Sequence, residues 1–144
     1  MQSCFKIETY PVEPSVKTIG FTLVDSMDLL GNPILNGTLH FSFIDGDGDI
    51  GFDTVAPQQN TIFIEKYKIV NGISQLVNLS PPLYYYVPKF TSEGNNRALK
   101  GEMFVRDLNE YQPFDGDTIM YKFYIVDRAG HVSNIDSTEY LIIE

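Results

Sequence analysis

Thr118-Ile119-Met120-Tyr121-Lys122-Phe123-Tyr124-Ile125-Val126-Asp127 carries the clearest periodicity in the chain. Ile119, Tyr121, Phe123 and Ile125 recur at every second position, so an extended backbone puts all four on one face. That spacing predicts a β-strand with one side against a core. Leu99 to Arg106 alternates in the same way, with Met103 and Val105 opposite Glu102, Phe104 and Arg106. Thr38 to Ile44 turns Leu39, Phe41 and Phe43 inward and His40 and Ser42 outward. Ser15 to Val24 groups Ile19, Phe21 and Leu23, and Leu83 to Val87 and Thr138 to Ile143 are shorter extended pieces. Asn60 to Val70 is apolar but changes phase, Ile62 and Ile64 on one face and Tyr67 and Ile69 on the other. A β-bulge near Glu65-Lys66 would reconcile the two halves.

Turn chemistry separates these runs. Asp25 to Gly37 contains Gly31-Asn32-Pro33 and Asn36-Gly37, and Asn71-Gly72 is the strongest hairpin signal, with Ser74 to Leu79 as the returning strand. No stretch longer than a turn or two has helical periodicity. Seven to eight short strands predict an all-β fold, an immunoglobulin-like antiparallel β-sandwich. A barrel is the structural alternative. Residues 1–14, with Pro11 and Pro14, read as an extended tether, and residues 15–144 as a single sandwich domain large enough to bury its own core.

The formal net charge of -9 argues against nucleic acid as a partner, because phosphate neutralisation needs clustered Lys and Arg. It argues equally against docking on anionic lipid head groups. No apolar run is long enough to span a membrane, and no signal-peptide core is present. Cys4 is the only cysteine, so it forms no internal disulfide. Met1-Gln2-Ser3-Cys4 reads as the trimmed start of something longer, with Cys4 either an acylated cysteine or an ordinary thiol.

Chemistry concentrates in Asp45-Gly46-Asp47-Gly48-Asp49-Ile50-Gly51, directly after the Thr38–Ile44 strand. Carboxylates that close repel one another unless a cation sits among them, and the glycines let side chains two apart converge. Oxygen ligands on a loop suit Ca²⁺. Asp45, Asp47, Asp49 and Asp53 match four positions of an EF-hand loop. Ile50 and Ala56 break that pattern, and no helix flanks it, so the likeness is one of local ligand geometry. The bland alternative is a solvated acidic turn. Asp127 is the leading remote carboxylate, or else caps the turn that follows it. The Ile50 carbonyl and waters would complete the shell. Asp115-Gly116-Asp117 reads as a plain turn.

Tyr84-Tyr85-Tyr86, with Phe90 nearby, offers a second feature. Tyr84, Tyr86 and Phe90 would present ring faces to a glycan or a protein partner, against the plainer reading of a core strand with its hydroxyls in water. His40 and His131 have no nucleophile arranged beside them, and no hydrolase or phosphate-loop motif occurs, so no enzyme activity is expected.

Phe43-Ile44-Asp45-Gly46-Asp47-Gly48-Asp49-Ile50-Gly51, Leu99-Lys100-Gly101-Glu102 and Tyr124-Ile125-Val126-Asp127-Arg128-Ala129-Gly130-His131-Val132-Ser133-Asn134 together resemble uncharacterised lipoprotein domains of Gram-negative bacteria. The last run also resembles the closing hairpin of many bacterial Ig-like domains, with His131 where an Asn is usual. The resemblance spans roughly residues 15–143. It implies an exported, non-catalytic β-sandwich in the cell envelope, periplasmic or surface-exposed. Its membrane attachment would be only through a lipid on Cys4, and its partner an unknown protein or glycan.

Overall fold

The computed structural model describes residues 10–54, 59–89 and 98–144. Cys4 and Phe90 therefore lie outside the described residues. Ten strands appear among those described, and none of these residues is helical. One antiparallel sheet has the order β1 (Ser15–Met27), β2 (Pro33–Asp45), β6 (Leu99–Val105), with β7 (Glu110–Tyr111) also on β2. The second has the order β10 (Leu141–Ile143), β8 (Asp117–Ile125), β3 (Ile62–Val70), β4 (Ile73–Leu76). In it β5 (Leu83–Tyr85) lies beside β3 and β9 (Asp136–Ser137) beside β8. The fold is all-β, two antiparallel sheets packed as a sandwich.

The expected alternation builds the core. Leu39, Phe41 and Phe43 of β2 face Ile119, Tyr121, Phe123 and Ile125 of β8, with Ile62 and Ile64 of β3 beside them, all buried. The rings of Phe41 and Phe123 meet at 4.8 Å across the sandwich. The open edge of β1 is closed from the other sheet. Asn134 exchanges two hydrogen bonds with the Val16 backbone, at 2.9 and 3.0 Å, and the Asp136 carboxylate accepts the Thr18 N–H at 2.7 Å. Side chains thereby satisfy edge groups that would otherwise template another strand.

Three local expectations are corrected. β3 has no bulge near Glu65-Lys66: its register against β8 runs unbroken from Ile62 opposite Ile125 to Ile69 opposite Thr118. The phase change arises because Lys66 points inward and is neutralised there by Glu110, which also accepts the Tyr121 hydroxyl at 3.3 Å. Tyr67 takes the outer face, where its hydroxyl donates to Glu65 and its ring receives Lys122. The irregularity lies instead in β1, between Thr18 and Gly20, and it expels Ile19 to solvent while Phe21 and Leu23 keep their inward phase.

Asn36-Gly37 is likewise not a turn but the interior of β2. A Cβ at Gly37 would fall 2.2 Å from the Leu108 carbonyl and 2.9 Å from the Phe21 ring, so glycine serves close packing here. The turn is Asp28–Asn32. By contrast Asn71-Gly72 does join β3 to β4, with positive φ at both residues as a type I′ turn requires.

Lys66 and Glu110 are both mostly buried, so removing one strands the other. Lys66→Met should cost about 3 kcal/mol in urea unfolding, and adding Glu110→Leu should recover most of it. A double variant no more stable than the single one would contradict the inward ion pair.

Candidate cation site at the junction of the two sheets

β2 delivers Asp45 at its last position, and the buried, inward phase of Phe41 and Phe43 continues to it. β8 delivers Asp127 two residues past its end, after the Val126–Val132 bridge. These carboxylates come from opposite sheets and are 0% and 1% exposed. Asp49 stands with them, and one carboxylate oxygen from each of Asp45, Asp49 and Asp127 lies within 4.8 Å of the others. A second group on the same terms contains Asp47, Asp127 and His131, so Asp127 belongs to both.

Local backbone chemistry holds this arrangement. Asp45 folds its own loop, its Oδ2 accepting the Asp49 N–H at 2.8 Å and its Oδ1 the Asp47 N–H at 3.3 Å. Gly48 has φ +65° where the chain reverses. Asp127 folds its turn by the same device, its Oδ1 accepting the His131 N–H at 2.8 Å and its Oδ2 facing His131 Nδ1 at 3.0 Å. Asp127 therefore caps its turn and at the same time stands beside the acidic loop. The two turns are stitched together. The Asp49 carbonyl accepts the Arg128 N–H at 3.0 Å, and the Arg128 guanidinium donates to the carbonyls of Ile50 at 3.2 Å and Gly51 at 2.9 Å.

The nearest guanidinium thus serves carbonyls. The Ile50 carbonyl accepts one of these bonds, and the buried Ile50 side chain packs in the core beneath the loop. Asp49 Oδ1 is fully shielded from solvent and has no hydrogen-bond partner. Three carboxylates this close cannot all ionise without strain: each pair repels by about 3–4 kcal/mol at the effective dielectric near a protein surface. Burial, and then the hydrogen bond with Asp49, push the Asp45 carboxyl up to about 7. Burial also raises Asp127, against the lowering effect of its bonds from His131. The same Asp127 bond raises His131.

Asp45, Asp47, Asp49 and Asp127 therefore gather, in two overlapping groups. Asp53 is exposed and joins neither among the described residues. Sequence reasoning missed His131 and Arg128. The four-residue spacing of Asp127 and His131 within one turn was the signal for the first, whereas nothing local marks Arg128 as the stitch. Tyr10 and Pro11, from the segment read as an extended tether, lie close to this end of the first sheet. A Cβ on Gly46 would lie 2.2 Å from the Pro11 carbonyl, and Lys100 sits 4.3 Å over the Tyr10 ring.

The tyrosines point elsewhere. Tyr84 lies on the outer face of the second sheet and Tyr124 stacks on Phe63 at 5.2 Å, with Tyr84 tilted against the same Phe63 ring at 4.9 Å. Tyr124 thus covers one face of Phe63, while Tyr84 itself remains 48% exposed. Tyr86 donates its hydroxyl to the Phe52 carbonyl at 2.9 Å, beside the Phe52–Pro88 bridge. No protein-family model, curated protein or solved structure matches this chain.

The proton linkage has a definite sign. Asp45, with a folded pKa near 7 against about 3.9 unfolded, keeps a proton that the unfolded chain has lost between those values. Its contribution to stability is complete below about pH 4 and drains away as pH rises to 7, and raised Asp127 and His131 act in the same direction. The lowered carboxyls, Asp28 and Asp136, have their window below pH 4 and do not oppose this. In EDTA the melting temperature should be higher at pH 5.5 than at pH 7.5. A flat or rising profile would show that the carboxylates do not crowd one another.

Proposed function

We propose that the chain is a non-catalytic, immunoglobulin-like module of the bacterial cell envelope whose two sheets are clamped at one end by a structural Ca²⁺. The observation that carries this reading is the convergence of Asp45, Asp49 and Asp127, two of them fully buried, from opposite sheets. Oxygen-only donors at the end of a rigid sandwich favour Ca²⁺ over softer metals. Asp47 would lie at the rim, and His131 would hold Asp127 in orientation through the bond at 3.0 Å. Extracellular calcium modules bind at about 10⁻⁴–10⁻³ M, which suits a protein facing the periplasm or the outside. Acylation of Cys4 would attach the parent protein to its membrane, and the partner would be another protein or a glycan.

The non-catalytic reading is supported by the surroundings of the Asp127–His131 pair. Ser133, two residues from that histidine, accepts the Ile125 N–H at 2.9 Å and donates to the Asn134 carbonyl at 2.8 Å, so its hydroxyl is bound into the backbone.

Millimolar Ca²⁺ should raise the melting temperature over that in EDTA at pH 7.5 by several degrees. The stabilisation follows RT ln(1 + [L]/Kd), which at 10 mM Ca²⁺ and Kd of about 10⁻⁴–10⁻³ M amounts to about 1.4–2.7 kcal/mol. Asp49→Asn should abolish most of the difference while leaving the EDTA melt the same or higher. Coincident melts in EDTA and Ca²⁺ would end the proposal.

A further inference from the structure

Two residues that break a local rule line the same cleft between the sheets. Lys66 turns a long charged side chain inward, against the alternation expected of β3. Asp107 holds φ +62°, a left-handed conformation uncommon for any residue with a side chain. Departures of this kind concentrate at functional sites, because packing alone selects neither. An inward ion pair is often no more stabilising than apolar side chains of the same shape, so the Lys66–Glu110 pair gains the fold little. The cleft has a volume of about 310 Å³, at the lower end of the range for small-molecule sites. One of its walls is tied down. The Asn36 amide donates to Asp107 Oδ1 at 3.1 Å and to Asn109 Oδ1 at 2.9 Å, and the Leu108 N–H donates to the Gly37 carbonyl at 3.0 Å.

We infer that this cleft binds the terminal sugar of a neutral glycan. Its lining is mixed in the way a pyranose requires. Leu79, Pro81 and Leu83 offer apolar surface to ring C–H groups, and Tyr111, 62% exposed, supplies an aromatic ring at the rim. Lys66, Asp107, Asn109 and Tyr121 bring hydrogen-bond donors and acceptors to the same space. Lys66 Nζ gives one of its three N–H donors to Glu110, and no other group among the described residues accepts from it. A sugar hydroxyl can take a second. Charge selects a neutral ligand. Glu110 already balances Lys66, a cation entering the cleft meets that ammonium, and an anion meets the exposed Asp107 carboxylate. A hydroxyl can accept from the first and donate to the second, with no net charge to desolvate. The site rests on the reading of the chain as a non-catalytic module with a protein or glycan partner, but not on the cation clamp. Glu110 pairs with Leu35 near the start of β2, whereas Asp45 ends that strand. Neither Tyr84 nor Tyr86 lines the cleft.

Isotope-labelled chain titrated with the methyl glycosides of glucose, galactose, mannose and N-acetylglucosamine, and read by amide chemical shifts, tests the site. At least one of these sugars should bind saturably at millimolar concentration or below, with shifts at Lys66, Leu79 and Asn109, equally in EDTA and in Ca²⁺. Tyr111→Ala should weaken that binding roughly tenfold through loss of an aromatic anchor. Lys66→Met with Glu110→Leu, which keeps the space filled, should abolish it. Tyr111 is exposed, so its variant decides the matter even where the double variant fails to fold. No saturable shift with any of the four sugars would overturn the assignment, as would binding that Tyr111→Ala leaves unchanged. So would a loss with Tyr84→Ala in place of Tyr111→Ala, which would put the sugar on the outer face of the second sheet. Binding seen only in Ca²⁺ would place the sugar on the cation and overturn it equally. Sugar binding by a chain that takes no Ca²⁺ would uphold the cleft while ending the clamp.

Discussion

Mutual repulsion among Asp45, Asp49 and Asp127 is the constraint on which one whole end of this molecule turns. Hydrophobic packing of Phe41, Phe123 and their neighbours brings the two sheets face to face, and in doing so forces the ends of β2 and β8 together. Each of those ends terminates in a buried aspartate. The fold therefore buries and crowds these carboxylates, and burial first, with the neighbouring Asp49 behind it, raises Asp45 and Asp127 above the ordinary carboxylate range. A divalent cation would relieve that crowding without protons, and in the proposed reading that is what fixes the loop to the turn.

The backbone chemistry around the site works with that constraint. Asp45 and Asp127 each spend hydrogen bonds on the backbone N–H groups of their own turns, so the carboxylates are held in place before any cation enters. Arg128 brings the only guanidinium of the turn to the carbonyls of Ile50 and Gly51, which locks loop to turn and leaves the carboxylates unneutralised by it. Preorganisation of this kind places the repulsion in the folded state. In the proposed reading the cation would brace this end of the sandwich.

Much of this was legible in the sequence because period-two alternation is a strong signal wherever one face is buried. Leu39, Phe41, Phe43 and the Ile119–Ile125 series gave the two central strands directly, and Asn71-Gly72 gave a hairpin with the correct turn type. The misreadings share one cause, a long-range partner invisible to local pattern. Lys66 faces inward only because Glu110 is there, Gly37 lies inside a strand because Leu108 and Phe21 press on it, and Ile19 is expelled by a bulge that lets Asp136 hold Thr18. Among the acidic residues, alternation suggested that Asp45, Asp47 and Asp49 would act together. The loop instead sends Asp45 and Asp49 into one group and Asp47 toward His131, a division set by the turn after β8.

The most direct test of the cation clamp is calorimetric titration of Ca²⁺ into chelator-treated protein at pH 7.5. The account predicts a single site per chain, saturating at millimolar concentration or below, and lost in Asp127→Asn as well as in Asp49→Asn, since the ligands come from both sheets. An absence of binding heat in the unaltered chain, together with unchanged amide spectra on adding Ca²⁺, would contradict it. So would binding that survives Asp127→Asn undiminished, which would mean that the loop acts without the second sheet.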